Sequence, residues 1–212
     1  MTTESVPSRR LEPDPKVRKA IVTAATKVIR DEGVRGLSVS NVLVRAGLGT
    51  RAFYRHFASK DHLVAAVFLE LANAEARRLE RLMAGADDPL DAVVAWIDGR
   101  LDLAFDDGVQ SELRQLSVEA QAQMFASPEL VGAAYAAILA PLVAQLERGV
   151  QQGRFVDVDP AADALSIQGV LWSSVERHWS TGDQGRAEVR THVLRFCLRG
   201  VGASDEEGAP WT

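Results

Sequence analysis

With 212 residues, 47% of them hydrophobic, the chain has enough apolar material for a sizeable core, and no apolar run reaches the roughly 20 residues of a membrane span. Its net charge of −5 hides an uneven distribution: residues 1–62 carry 12 Lys and Arg against 6 Asp and Glu, whereas 63–212 carry 12 against 23. A single cysteine, Cys197, excludes a disulfide framework and a cysteine-based zinc site, both of which need several sulfurs.

The first sixteen residues mix acids, prolines and arginines without the apolar centre of a secretory signal, so a cytoplasmic protein with a flexible basic arm at 1–15 is expected. Apolar residues then recur three and four apart almost throughout, and no run alternates strictly over five residues, which predicts an all-α fold of about nine helices. Ile21, Ala24, Ala25 and Val28 form the stripe of a first helix that should stop near Gly33. Ser38 caps a short helix over Val39 to Ala46, ended by Gly47, and a third fits Thr50 to Phe57. Ser59 caps a long fourth helix with a stripe running from Leu63, Val67, Phe68 and Leu71 to Leu79 and Leu82. Beyond the breaker at Gly85 to Pro89, helices are expected over Pro89 to Phe105, Val109 to Phe125, Glu129 to Gln152, Pro160 to Ser180 and Gln184 to Gly200. The apolar run around Val131 to Leu146 is interrupted by Pro141, Gln145 and Glu147, so no membrane crossing is expected. The division is therefore an arm at 1–15, a head at 16–62, a helical body at 63–202 and a fraying tail at 203–212.

Two short helices joined through Gly47, Leu48 and Gly49 have the composition of a helix–turn–helix. In TRAFYRHF, Phe53 and Phe57 lie four apart and face a core, leaving Thr50, Arg51, Tyr54 and Arg55 outward. Hydroxyl, guanidinium and phenol groups on one exposed face suit a major groove, where Arg reads guanine and phosphate contacts fix the register. A solvated helical hairpin is the alternative on these residues alone.

Three other signals lead nowhere. GLGTRA, Gly47 to Ala52, matches a dinucleotide-binding pattern with Glu70 at a plausible distance, but no strand–helix alternation follows to build the sheet that such a site needs. His56, His62, His178 and His192 lack metal-ligand spacing, so no metal and no cofactor are expected. No nucleophile elbow or phosphate loop appears, so no enzyme is expected.

The stretch LSVSNVLVRAGLGTRAFYRHFASKDHLVAAVF, with its Gly47 turn, its FYRHFASKDHL block and the preceding glycine at Gly33, resembles the DNA-binding region of the TetR family of transcriptional regulators over residues 17 to 68. The resemblance implies that Thr50 to Phe57 is the recognition helix, with Thr50 and Arg51 at its base-facing start and Tyr54, His56 and Lys60 on the DNA backbone. Ser38, Ser40, Arg45, Gly49 and Arg55 complete the expected DNA-binding set, and Arg9 and Arg10 extend it along the arm. Gly49 stands where a hydroxyl residue commonly caps the helix and Leu43 where a small residue is common, so base preference does not transfer.

By the same resemblance the body binds a small effector and dimerises. Trp96, Phe105, Phe125, Tyr135 and Trp172, each a core residue by default, are candidate walls of an apolar cavity, with Arg100, Gln168 and Glu176 as candidate polar contacts. The expected dimer surface is a pair of stripes on the last two helices, Leu165, Gly169, Val175 and Trp179 with Val189, Val193 and Phe196. The expectation is a homodimer on a palindromic double-stranded operator, released as a repressor by an apolar or aromatic ligand. An activator, a partner-regulated repressor, or a helical binding protein or enzyme without DNA affinity are the alternatives.

Overall fold

The structure is a computed structural model that describes residues 14–105, 116, 118–123 and 127–203. Arg9, Arg10, Phe125 and the tail beyond 203 lie outside the described residues, as does most of the helix expected at 109–125. The described residues form helices and turns, with no strand among them. They are α1 (Pro15–Gly36), α2 (Val39–Ala46), α3 (Thr50–His56), α4 (Lys60–Met83), α5 (Pro89–Phe105), a helical stretch α6 at 118–123, α7 (Pro128–Gln151), α8 (Pro160–Thr181) and α9 (Arg186–Gly200). The chain divides into two compact units, residues 1–67 and 68–212, with the boundary inside α4.

In the first unit, the Asp14 carboxylate accepts from the Lys16 backbone N–H at 2.8 Å and Pro15 starts the helix where no donor is needed. The α1 stripe buries Ile21, Ala24, Ala25, Val28 and Ile29, and helical geometry breaks at Gly33 (φ 70°, ψ 174°) before one further turn ends at Gly36. The Ser38 hydroxyl accepts from the Asn41 N–H at 3.1 Å. Gly47 closes α2 in the left-handed region, φ 65° and ψ 34°, where a residue with a Cβ is strained by about 1–2 kcal/mol. The Leu48 N–H then reaches the Leu43 carbonyl at 3.0 Å, which tightens the corner leading to α3.

In the second unit α5 is the central helix, with Leu90, Val93, Trp96, Ile97, Leu101 and Leu103 buried along it, and α7, α8 and α9 pack around it. Arg190 grips Asp98 through two bonds of 2.6 and 2.9 Å and Arg186 reaches Asp102 at 2.8 Å, fixing the register of α9 on α5. These pairs are partly exposed, so each contributes only about 0–1 kcal/mol.

As the expected helix over Glu129 to Gln152 requires, α7 runs unbroken for 24 residues through Pro141; contrary to the expectation that its breakers exclude a span, it is long and apolar enough to cross a membrane by length and composition. An interior proline costs about 3 kcal/mol, whereas burying Leu139, Leu142 and Leu146 contributes about 1.5–3 kcal/mol each, so packing outweighs the lost hydrogen bond.

At the end of α7 the chain turns sharply, and the Arg154 N–H returns to the Gly149 carbonyl at 2.8 Å. This folds the Phe155 ring over Gly149 so closely that a Cβ there would lie 2.0 Å from Phe155 Cδ2. Gly149→Ala should therefore destabilise the protein by about 1–3 kcal/mol in urea unfolding, despite the better helix propensity of alanine. A neutral or stabilising result would show that Phe155 yields freely.

Candidate nucleic-acid interface and body cavity

The head presents α3 as the sequence requires. Phe53 is 0% exposed and Phe57 is buried, and their rings contact at 5.7 Å, while Arg18 of α1 sits over the Phe57 ring at 5.5 Å. That anchoring leaves Thr50, Arg51 and Arg55 exposed and Tyr54 63% exposed, its ring standing edge-on to Phe53 at 5.2 Å. A fixed inner face and a polar, cationic outer face on a two-turn helix suit insertion into a groove. Gly49 caps α3 without any side-chain bond. Lys60 is the first residue of α4, and the Ser59 hydroxyl accepts from His62 N–H at 3.2 Å, so the ammonium stands at a helix start whose free N–H groups favour an anion.

The remaining candidates divide. Ser40 is exposed and His56 half-buried, whereas the Ser38 hydroxyl is already engaged as the α2 cap. Arg45 is held at 3.1 Å by Asp31 and 2.8 Å by Glu32, tying α2 to the end of α1, and the arginines hold the Asp31 carboxyl below its ordinary range, Arg30 first and Arg45 second. A groove of about 450 Å³ along α1, lined by Lys16, Lys19, Thr23 and Lys27 together with Arg45, adds cations that sequence reasoning did not single out. Their signal was the spacing of 16, 19, 23 and 27, which puts them on one face of a helix.

Within the second unit, residues of α4, α5, α6 and α7 line a partly open cavity of about 60 Å³. Phe68, Leu71, Leu103, Leu116, Ala134 and Ile138 give it apolar walls, and Glu75, Arg100 and Tyr135 are its polar lining. Arg100, only 7% exposed, donates to Glu75 at 3.3 Å, and Arg78 grips the same carboxylate with two bonds of 2.8 Å while also reaching the Gly99 carbonyl at 2.6 Å. Burial works to raise the Glu75 pKa, but the Arg78 bonds and the charges of Arg100 and Arg78 outweigh it and hold the carboxyl below its ordinary range. Desolvation lowers the Arg100 pKa, and burial pushes the Tyr135 phenol up to about 12, so its hydroxyl stays protonated and donates to the Gln121 side chain.

Of the seven expected ligand contacts that lie among the described residues, the structure brings Arg100 and Tyr135 to this cavity. Trp96 belongs to the core, completely buried with its indole N–H on the Ile138 carbonyl at 3.4 Å. Phe105 stacks on His178 at 4.1 Å, and Trp172 meets Trp179 edge-on at 5.4 Å beside a void of about 10 Å³. Gln168 is buried away from the cavity, its carbonyl oxygen without a partner among the described residues, and Glu176 is exposed. Glu75 was missed although Leu71, Glu75 and Leu79 lie four apart, an acid on the apolar stripe of the fourth helix.

The expected dimer stripes also split. Leu165 is 55% and Phe196 59% exposed, and Gly169 is exposed too, whereas Val175, Val189 and Val193 lie in the subunit's own core and Trp179 is half-buried with its indole on the Ala104 carbonyl. The split has a simple cause: a helix packed inside one subunit buries the same stripe that a dimer helix would.

Among the described residues no group of His, Cys, Asp and Glu is arranged to hold a metal. Cys197 is buried on α9, and burial pushes its thiol up to about 12. A disulfide reagent at pH 8 should label it in urea at least a hundred times faster than in the native protein; equal rates would mean that the thiol is reachable.

Residues 21–67 match the family model of bacterial regulatory proteins, tetR family. The fold resembles that of a TetR-family regulator from Rhodococcus sp., with 21% identity and a TM-score of 0.70 over 89% of this chain and 99% of that one. It also resembles FadR from Bacillus subtilis, solved with stearoyl-CoA, at 19% identity and a TM-score of 0.67 over 86% of this chain and 98% of that one. SmeT, the repressor of the Stenotrophomonas maltophilia multidrug efflux pump SmeDEF, aligns at 22% identity and a TM-score of 0.64 over 92% of this chain and 94% of that one. No curated protein matches the chain.

Proposed function

We propose, from the match of residues 21–67 to the model of bacterial regulatory proteins of the tetR family, that the chain is a DNA-binding transcriptional regulator, a homodimeric repressor released from a palindromic operator by a small ligand held in the body. The observation that carries the DNA-reading half is α3 itself, locked inward by Phe53 and Phe57 and outward-facing through Thr50, Arg51, Tyr54 and Arg55. Arg51 and Thr50 reach base edges at the start of the helix, while Tyr54, His56 and Lys60 contact phosphates.

Two heads reading successive major grooves must stand about 34 Å apart, which asks for a dimer. Leu165 and Gly169 of α8 and Phe196 of α9 are exposed and available to a partner copy, and two helices from each subunit would close a four-helix interface. A ligand alters DNA affinity only if it binds two head spacings differently. α4 is placed to couple them, since it begins at Lys60 in the head and lines the cavity with Phe68, Leu71, Ala72 and Glu75. The deciding experiment selects genomic fragments on the pure protein and reads them by gel shift and sedimentation. A shared palindrome bound by a dimer is the expected result; absence of any preferred sequence, or a monomer at micromolar concentration, overturns the reading.

A further inference from the structure

We propose that the body cavity takes a small amphipathic acid, an apolar chain or ring whose single carboxylate engages Arg100. The inference rests on the effector reading above and narrows it to a chemical class. Arg100 lines the cavity almost completely withdrawn from water, and its Nε–H has no hydrogen-bond partner among the described residues. A buried donor left unmade is the group that an incoming acceptor satisfies.

The charges around it select the sign of that acceptor. Among the described residues Arg100 pairs with the carboxylate of Glu75 and shares it with Arg78, whose two bonds take both oxygens at 2.8 Å against 3.3 Å for Arg100. With Glu75 held mainly by Arg78, the Arg100 guanidinium at the cavity wall keeps a surplus of positive charge among the described residues, and a carboxylate engages a guanidinium in charge-assisted bonds. A cationic ligand meets the opposite situation, since the Glu75 oxygens are already engaged and Arg100 repels it. A neutral ligand gains the apolar walls but leaves the surplus charge in place. The Tyr135 phenol beside the site stays protonated and adds no competing negative charge. The walls of Phe68, Leu71, Leu103, Leu116 and Ile138 fit an apolar body, and about 60 Å³, the room of about two waters, confines it to a small molecule that displaces side chains on entry.

Isothermal titration of the full-length protein with octanoate and phenylacetate, with their amides, and with octylamine and phenethylamine tests this without DNA, so that failure of the operator reading and failure of this one are told apart. The acids should bind at least tenfold more tightly than their amides and the amines not at all. Arg100→Met should bind acid and amide alike; where that variant does not fold, the wild-type contrast decides. Equal affinity for acid and amide, a preference for amines, an acid preference that survives in folded Arg100→Met, or no binding of any of the six at millimolar concentration would each overturn the proposal.

Discussion

Glu75→Ala should destabilise the second unit by about 3–5 kcal/mol in urea unfolding, more than an ordinary surface ion-pair deletion by severalfold. The reason is what the truncation leaves behind. Arg100 is buried and donates to Glu75, and Arg78 grips the same carboxylate, so without it two neighbouring guanidiniums lose their shared counter-charge and Arg100 is left buried without it. Removing Arg100 as well, in Glu75→Ala with Arg100→Met, should recover much of the loss, because the uncompensated buried charge goes with it. The pH dependence has a definite direction. The Glu75 carboxyl is held below its ordinary range in the fold, so its contribution is fully present above the unfolded value of about 4.3 and is lost as pH falls through the lower folded value. Wild type should therefore lose stability more steeply below about pH 4.3 than Glu75→Ala does. A variant within 1 kcal/mol of wild type at pH 7 would mean that water or a moved side chain compensates Arg100.

Operator affinity should collapse with salt, by about 10³–10⁵ between 50 and 200 mM if the dimer neutralises 6–10 phosphates. The head has the charge for this although the whole chain is acidic, since residues 1–62 hold twice as many Lys and Arg as Asp and Glu. Lys60→Ala should weaken all sequences alike and reduce the salt slope by about 1 for each head, whereas Arg51→Ala should cost about 1–3 kcal/mol chiefly at one base position and relax its preference. Tyr54 stands 63% exposed on the same face, so Tyr54→Phe separates hydroxyl from ring: loss of affinity identifies a phosphate bond, no change a packing contact. An operator complex indifferent to both Lys60→Ala and Arg51→Ala would overturn the placement of α3 in the groove.

Locally determined features could be read directly. Ser38, Gly47 and Ser59 start or stop helices through bonds to neighbours a few residues away, and the structure places α2 to α4 accordingly. The recognition face was equally legible, because a two-turn helix with Phe53 and Phe57 four apart has only one way to bury both rings. The sequence by itself thus determined the all-helical class, the helix–turn–helix and its outward groups. Only the tertiary structure decided which aromatic residues line a cavity and which fill the core. Trp96, Trp172, Val189 and Val193 all lie on apolar stripes, and periodicity reports that a face is buried without saying against what. Arg100 and Glu75 lie 25 residues apart on different helices, and their bond depends on the packing of α4 beside α5. At Pro141 the apolar stripe had already carried the expected helix from Glu129 to Gln152, and the structure supplies the reason it holds: burial of Leu139, Leu142 and Leu146 outweighs the proline's local cost of about 3 kcal/mol.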